Sequence, residues 1–211
     1  RRTQAAHRRA RQVVVSADPA NPYVSRGGLK LQHALREFAL NIAGYTCADF
    51  GCSTGGFTHC MLEHGAAKVY AIDTAYGELA WKLRNDPRVV VMERTNCLHA
   101  KPPRDVAVDL ITIDASWTPQ RLVLPAADKW IKPTGIVLTL IKPHYELKDL
   151  GEELPRGGVL EESHAERVAM EVAAKIGAKA CVKSPITGGA GKSKGNAEWL
   201  ALVEASKLAS P

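Results

Sequence analysis

The stretch D-F-G-C-S-T-G-G-F at residues 49–57 joins two segments of different character. An apolar run at residues 45–50 leads into it, and an amphipathic run at residues 57–64 leads out. This pattern predicts a strand, a tight glycine turn and a helix. Glycines at such a turn let the backbone approach a ligand closely, and the start of the helix offers N–H groups without intrahelical partners. The stretch is therefore a candidate binding turn.

A second apolar run, residues 69–72, ends in Asp73. A carboxylate at the end of the second strand, about 20 residues beyond the glycines, is placed to accept hydrogen bonds from both hydroxyls of a ribose. The turn and Asp73 together predict a cofactor that contains a nucleoside. The same residues are also compatible with a tight turn followed by a surface aspartate.

Further apolar runs predict the rest of a sheet. Residues 89–92, 108–113 and 135–141 have the composition of buried parallel strands, and residues 178–182 and 197–203 complete the set as a hairpin-like pair. Helices are expected from an apolar stripe that begins at Leu31 and over residues 57–64, 76–85, 118–131 and 163–175. The fold class is therefore α/β: a doubly wound, seven-stranded, mostly parallel sheet of the Rossmann-like type.

Two local features complete this secondary-structure prediction. Residues 143–162 are charged and contain Gly and Pro, which predicts a long loop. Ser163 followed by Glu166 predicts a capping box at the start of the last helix.

The chain has 211 residues, of which 45% are hydrophobic, and this suits one α/β domain. No apolar run reaches the roughly 18 residues of a membrane span, and no signal peptide is visible, so we expect no membrane partner and a cytoplasmic location. The five cysteines lack metal-ligand spacing. Buried thiols in a reducing compartment are favoured over disulfides or zinc, and no metal is expected.

The charge is unevenly distributed. The chain carries a net charge of +6, and five arginines fall within its first eleven residues, which hold no acid. These are Arg1, Arg2, Arg8, Arg9 and Arg11. A basic arm on a near-neutral domain favours a polyanionic partner such as RNA, although a solvated linker has the same composition. We divide the chain into a basic arm or linker at 1–22, a domain at 23–205 and a tail at 206–211.

Four ionisable residues lie where the predicted strands begin or end. Asp114 and Lys142 follow two of the buried strands, Glu198 opens the last strand, and Lys30 precedes the first. Because the carboxyl ends of parallel strands share one crevice, two lysines and two acids there can form a paired network. Such a network serves catalysis in some proteins and only stability in others.

Several motifs carry a resemblance to a known family. The runs Y-V-S-R-G-G-L-K-L (23–31), D-F-G-C-S-T-G-G-F-T (49–58), D-L-I-T-I-D (109–114), L-I-K-P-H-Y-E (140–146) and G-N-A-E-W (195–199) resemble the TlyA-type haemolysins. These are S-adenosylmethionine-dependent ribosomal RNA methyltransferases of the FtsJ (RrmJ)-like class. The resemblance covers residues 23–205 and implies methyl transfer from that cofactor to a ribose 2′-hydroxyl of ribosomal RNA, free or in ribosomal subunits.

The resemblance also assigns site residues. It implies a catalytic tetrad of Lys30, Asp114, Lys142 and Glu198. It places the cofactor at Gly51, Ser53, Gly55, Gly56, Phe57, Asp73, Glu93, Asn96 and Asp114. In this family an S4 RNA-binding domain precedes the methyltransferase domain, so the basic arm is expected to be the end of its linker. Together with Arg26, the arm is expected to bind RNA. The family has an aliphatic residue, Ser and Phe after the catalytic aspartate, where this chain has Ala115, Ser116 and Trp117.

The expected chemistry is an in-line displacement at a sulfonium methyl, in which the protein positions two partners and helps to remove a proton. A neutral Lys142 would act as the general base. A charged Lys142 would instead orient the hydroxyl and stabilise developing negative charge on its oxygen. The sequence leaves both roles open, because burial and Lys30 would lower the pKa of Lys142 while Asp114 and Glu198 would raise it.

Three other functions remain compatible with parts of the sequence. A nicotinamide-dependent dehydrogenase would also use a glycine turn and Asp73, but residues 51–56 lack the usual G-x-G-x-x-G spacing. A non-catalytic RNA-binding module and a haemolysin-like protein are the other two, and the latter is disfavoured because no amphipathic membrane helix is visible. The oligomeric state is left open.

Overall fold

The computed structural model describes residues 21–188 and 195–208. Its centre is one seven-stranded sheet with the strand order β3-β2-β1-β4-β5-β7-β6. The strands are β1 (Thr46–Phe50), β2 (Lys68–Ile72), β3 (Val89–Met92), β4 (Val108–Ile113), β5 (Ile131–Ile141), β6 (Ala180–Lys183) and β7 (Trp199–Glu204). Strands β1 to β5 are parallel, and β7 is antiparallel to both of its neighbours. The predicted seven-stranded, mostly parallel sheet is confirmed.

Helices cover both faces of the sheet. They are α1 (Gly27–Glu37), α2 (Gly56–Glu63), α3 (Trp81–Arg84), α4 (Gln120–Ala127), α5 (Pro143–Glu146) and α6 (Glu162–Lys175), with 3-10 turns at Leu147–Leu150 and Ala205–Lys207. Leu31 of α1 and Met61 of α2 pack with Leu138 on one face. On the other face, Trp130 packs edge-on against Phe50 and Tyr70. The sheet is therefore buried on both sides, as a doubly wound fold requires.

The strand register places the binding turn. Phe50 pairs with Ile72 of β2 on one side and with Ile113 of β4 on the other. The chain runs outward from β1 to β3 and then returns to β4 on the other side of β1. The ends of β1 and β4 therefore form the topological switch point of the sheet, where ligands of doubly wound folds bind. The next residues along the three strands, Gly51, Asp73 and Asp114, emerge side by side there.

Several predicted boundaries were wrong. Residues 143–162 do not form one long loop, because α5 and a 3-10 turn occupy residues 143–150. The helix predicted at 118–131 covers only α4, since a turn bond from the Trp130 N–H to the Ala127 carbonyl ends it and Ile131 begins β5. The helix predicted at 76–85 is reduced to α3, one turn long.

The predicted capping box and the predicted hairpin also differ in detail. Glu161, and not Ser163, is the N-cap residue of α6, and within the described part of the chain it makes no side-chain capping bond. The last two strands are paired and antiparallel, but β7 inserts between β5 and β6. Because β7 lies next to β5, its first residues reach the crevice.

No helix within residues 21–188 and 195–208 is long and apolar enough to cross a membrane. The five cysteines all lie in this described part, and none of them is paired in a disulfide.

Gly51 is the position that the turn constrains most. It has φ +84°, and a Cβ there would lie 2.6 Å from the Asp114 carbonyl oxygen. Gly44 has a similar φ of +79°, but a Cβ there meets no described atom within 4 Å. The two glycines therefore share the conformational strain of a substitution, and Gly51 alone adds a collision.

We predict that Gly51→Ala destabilises the fold more than Gly44→Ala does. The left-handed conformation alone costs about 1–2 kcal/mol for a residue with a Cβ, and the collision with the Asp114 backbone adds to this cost at Gly51. Urea unfolding of both variants measures the difference. Equal losses would contradict the close approach of β1 and β4.

Candidate active site

Two adjoining cavities open at the carboxyl ends of β1, β2, β4 and β5. The first, here the tetrad cavity, has a volume of 280 Å³. Its walls include Lys30, Lys142 and Glu198. The second, here the Asp73 cavity, has a volume of 440 Å³ and contains Asp73. Residues of the glycine turn, together with Asp114, line both cavities, so one crevice connects them.

The structure brings most of the predicted cofactor residues to this crevice. Gly51, Ser53 and Asp114 line both cavities, Gly56 and Phe57 line the tetrad cavity, and Asp73 and Asn96 line the Asp73 cavity. Arg26 lines the tetrad cavity beside Gly27. The arginines of the basic arm, residues 1–11, lie outside the described residues, so their predicted RNA contacts remain predictions.

Within the described part of the chain, two predicted cofactor residues, Gly55 and Glu93, are not among those that line the two cavities. A Cβ on Gly55 would lie 2.4 Å from a methyl group of Leu83, so this glycine allows the turn to pack on α3. Glu93 forms an ion pair with Arg84 and accepts a hydrogen bond from the Gly77 N–H at 2.8 Å. The side-chain hydrogen bond from Arg84 lowers the pKa of Glu93. Both residues shape the neighbouring loops, and a direct cofactor contact for them stays a prediction.

The Asp73 carboxylate is held by two backbone N–H groups, one from the glycine turn and one from the residues that follow Asp73. Its Oδ2 accepts the Ser53 N–H at 2.7 Å, and its Oδ1 accepts the Ala75 N–H at 2.8 Å. Each carboxylate oxygen has more than one acceptor position, so both can still accept a hydroxyl. The carboxylate is thereby held in one orientation at the mouth of the Asp73 cavity.

The four tetrad residues form two ion pairs in one cavity. Lys30 Nζ lies 2.5 Å from Glu198 Oε2, and Lys142 Nζ lies 2.5 Å from Asp114 Oδ1. Lys30 and Glu198 are buried, with 8% and 3% of their surfaces exposed. The four residues are far apart in sequence. Lys30 lies in the first turn of α1 and Glu198 directly before β7, whereas Asp114 follows β4 and Lys142 follows β5. Only the folded sheet brings these charges together.

The surroundings keep Lys142 protonated. Burial favours the neutral amine, but the paired charge of Asp114 and the charge of Glu198 act in the opposite direction, and the net effect raises the pKa of Lys142. Burial raises the pKa of Glu198, against the opposing charge of Lys30. Of the two roles that the sequence left open for Lys142, the charged one matches this environment.

Asp114 is paired with Lys142 through a buried oxygen. Its Oδ1 contacts the Lys142 ammonium at 2.5 Å, and within the described residues no contact of this atom has the angles of a regular hydrogen bond. The ammonium compensates the charge of this oxygen. The residue as a whole lines both cavities.

A buried polar cluster supports the turn from behind. The Thr58 hydroxyl donates to Asp49 Oδ2 at 2.6 Å, and the Thr112 hydroxyl donates to Asp49 Oδ1 at 3.0 Å. Burial raises the pKa of Asp49 to about 6, although both hydroxyls lower it. Asp49 thus ties β1 to α2 and β4 beneath the crevice, a contact that the sequence analysis did not identify.

The sequence analysis also missed an aromatic surface beside the crevice. Trp117 lines the Asp73 cavity and is 81% exposed. Its φ is +61°, a backbone conformation that residues other than glycine rarely adopt. Its ring lies 4.7 Å from that of Tyr145, with an interplanar angle of 30°. The signal in the sequence was the aromatic residue three positions after Asp114, together with Tyr145 three positions after Lys142.

Comparison with known proteins gives a consistent result. The model of the FtsJ-like methyltransferase family matches residues 23–194. The chain is 41% identical over 186 residues to the protein YqxC of Bacillus subtilis, covering 84% of this chain and 64% of that protein. It is 40% identical over 188 residues to the 16S/23S rRNA (cytidine-2′-O)-methyltransferase TlyA of Mycobacterium tuberculosis, covering 85% of this chain and 69% of that one.

A solved structure shows the same relationship. The chain superimposes on that of a hemolysin-like protein from Lactococcus lactis with a TM-score of 0.77 and 41% identity, covering 87% of this chain and 88% of that one. In contrast, it spans less than two thirds of the length of the Bacillus relative.

Proposed function

This chain belongs to the FtsJ-like methyltransferase family, and we propose that it methylates a ribose 2′-hydroxyl of ribosomal RNA. The observation that carries this proposal is the convergence of Lys30, Asp114, Lys142 and Glu198 on one cavity that adjoins the Asp73 cavity. The name of the Mycobacterium relative, an rRNA (cytidine-2′-O)-methyltransferase, supports the choice of acceptor. The family match leaves the nicotinamide dehydrogenase alternative without support.

S-adenosylmethionine, the methyl donor of this family, carries its methyl group on a sulfonium that is already activated for displacement. The residues present fit this cofactor, because the Asp73 carboxylate lines an open cavity and Asp114 lies between that cavity and the tetrad cavity. Asp73 would hold the ribose and Asn96 the adenine end. Gly51 and Asp114, which line both cavities, would hold the methionine end.

The Lys142–Asp114 pair supplies what the acceptor hydroxyl needs. The charged Lys142 donates a hydrogen bond to the 2′-oxygen, orients it and stabilises the negative charge that develops there. The hydroxyl proton passes to the carboxylate of Asp114, which lines the same cavity. Lys30 and Glu198 neutralise each other 2.5 Å apart in the same cavity, where they would position the ribose.

The surface around the crevice suits an RNA strand. The exposed Trp117 ring, backed by Tyr145, offers a flat face next to the cavity, and a nucleobase stacks on such a face whatever its sequence. Arg26 lines the tetrad cavity and brings positive charge to the same opening. We therefore propose that the target nucleotide or its neighbour stacks on Trp117 while its ribose reaches Lys142.

The first prediction concerns the cofactor. Asp73→Ala should weaken S-adenosylmethionine binding about 10- to 100-fold, because hydrogen bonds to a charged group contribute about 1.5–3 kcal/mol. Asp128→Ala, an exposed aspartate at the end of α4, is the control and should bind normally. Isothermal titration measures both variants, with NAD as a ligand that should give no binding. An unchanged affinity of Asp73→Ala would remove this residue from the cofactor site.

The second prediction concerns catalysis. Lys142→Met keeps the length of the side chain and removes its charge, so methyl transfer to RNA should fall about 100-fold or more while cofactor affinity changes little. Lys142→Arg should also fail, because the larger planar head does not fit the buried pair. Lys129→Met, at an exposed position, should retain activity. Wild-type turnover in Lys142→Met would refute the mechanism.

The pH dependence of the same assay separates the two roles of Lys142. Because its pKa is raised, a charged Lys142 stays protonated through neutral pH, so the rate should be flat above about pH 8 until that pKa is approached. A neutral general base would instead produce a rate that rises about tenfold per pH unit over the same range.

The third prediction concerns the RNA. Trp117→Ala should raise the KM for RNA about 5- to 100-fold, since stacking on an aromatic side chain contributes about 1–3 kcal/mol per base. Trp81→Ala is the matched control, because Trp81 is 71% exposed and lines neither cavity within the described residues. An equal effect of the two substitutions on KM would show that Trp117 has no special contact with RNA.

A further inference from the structure

The short helix α5 contacts the segment that follows Asp114 at two points. It begins directly after Lys142, and two of its consecutive residues, Tyr145 and Glu146, face the same stretch of chain. Tyr145 lies under the Trp117 ring, and Glu146 Oε1 accepts the Gln120 N–H at 3.1 Å. The residue after β5 and the segment after β4 are thereby joined outside the sheet.

The Glu146 contact is a buried helix cap supplied by a distant residue. Glu146 and Gln120 are 4% and 3% exposed. Gln120 is the first residue of α4, and its N-cap residue, Pro119, makes no side-chain capping bond within the described part of the chain. A carboxylate at this end of a helix satisfies one of the free N–H groups and interacts favourably with the helix dipole. Glu146 therefore fixes where α4 begins.

The Gln120 side chain extends the same connection to β5. Its Nε2 donates to the Leu140 carbonyl at 3.1 Å, and its Oε1 accepts from the Thr139 hydroxyl at 2.5 Å. Strand β4 ends at Ile113, opposite Thr139, so the Leu140 carbonyl lies one residue beyond its last paired position. The Gln120 side chain therefore bonds the Leu140 carbonyl just beyond the last residue pair of β4 and β5, two residues before Lys142.

This connection restrains a strained residue. Trp117, with φ +61°, lies between Asp114 and Gln120. Such a conformation costs about 1–3 kcal/mol and persists only when the surrounding contacts enforce it. Tyr145 holds the Trp117 ring and Glu146 holds Gln120, so both restraints come from the helix that follows Lys142.

We propose that Glu146 is a positioning residue for methyl transfer. By holding Gln120, it sets the distance between Lys142 and Asp114 and keeps Trp117 facing the acceptor. The inference rests on the proposed methyltransferase function and adds to it a residue outside the crevice, because Glu146 lines a separate cavity with Arg121 and Lys175.

The charge state of Glu146 makes this role visible. Burial raises its pKa to about 7, with Asp149 acting in the same direction and the Gln120 N–H and Arg121 in the opposite one. Lys175 of α6 also faces it, and His144 lies on the same helix with a pKa lowered by burial and by Lys142. Above pH 7 the carboxylate accepts a charge-assisted hydrogen bond, and below it the bond is weaker.

The test compares Glu146→Gln with the wild-type chain in methyl transfer to ribosomal RNA at several pH values. We expect kcat of the wild type to fall as the pH drops through about 7. The kcat of Glu146→Gln should not fall in this pH range. Above pH 7 it should be about tenfold lower than that of the wild type, because a neutral acceptor makes a weaker hydrogen bond than a charged one. Cofactor affinity should not change. Glu166→Gln, at an exposed position on α6, should behave as the wild type does.

A second pair of variants removes the donor and leaves Glu146 in place. Gln120→Leu and Gln120→Pro both lose the side-chain bonds, but only the proline lacks the N–H that Glu146 accepts. Proline suits the first residue of a helix, and the ψ of 149° at Pro119 suits the residue before a proline. We expect Gln120→Pro to have a lower kcat than Gln120→Leu. The fall of kcat below about pH 7 should be absent in Gln120→Pro and present in Gln120→Leu.

These outcomes separate the two claims. Should the wild type transfer methyl groups while Glu146→Gln matches its rate and its pH profile, the positioning role is wrong and the methyltransferase function stands. If Glu146→Gln does not fold, the two Gln120 variants decide. Equal rates and the same fall of kcat at acidic pH in Gln120→Leu and Gln120→Pro would show that Glu146 has no positioning role. A wild type without any transfer to ribosomal RNA overturns both claims.

Discussion

The register at the centre of the sheet is the constraint on which the rest of the site depends. Phe50 pairs with Ile72 and with Ile113, so the three strands end together and their next residues emerge at one edge. Gly51 allows this, because a Cβ there would collide with the Asp114 backbone. A shift of one residue in β4 would turn its side chains to the opposite face and remove Asp114 from the crevice.

The second constraint is electrostatic. Lys30 and Glu198 are buried and Lys142 and Asp114 are partly buried in one cavity, and each charge has a partner of opposite charge 2.5 Å away. Desolvation of such pairs often offsets their attraction, so they are weak evidence for stability, and they are compatible with the proposed catalytic role. The same pairing raises the pKa of Lys142, which matches the charged one of its two proposed roles.

Much of this architecture was predictable from the sequence, because buried parallel strands are apolar throughout and the tetrad lies at strand ends. The roles of the tetrad residues came from the resemblance to a family, and the convergence of the four side chains required the fold. What could not be predicted depends on contacts between distant segments. The Glu146–Gln120 bond spans 26 residues, and Trp117 is held by Tyr145, which is similarly distant in sequence. Glu93 was expected at the cofactor, but its pairing with Arg84 depends on the path of one short loop.

The most direct test of the account is the chemical location of the transferred methyl group. Ribosomal RNA would be incubated with this chain and methyl-labelled S-adenosylmethionine, and the product would be cleaved with alkali, which cannot cut beside a ribose whose 2′-hydroxyl is methylated. We expect label in alkali-resistant dinucleotides, and we expect it to disappear with Lys142→Met. Label that stays with a nucleobase after complete cleavage would contradict methyl transfer to the ribose.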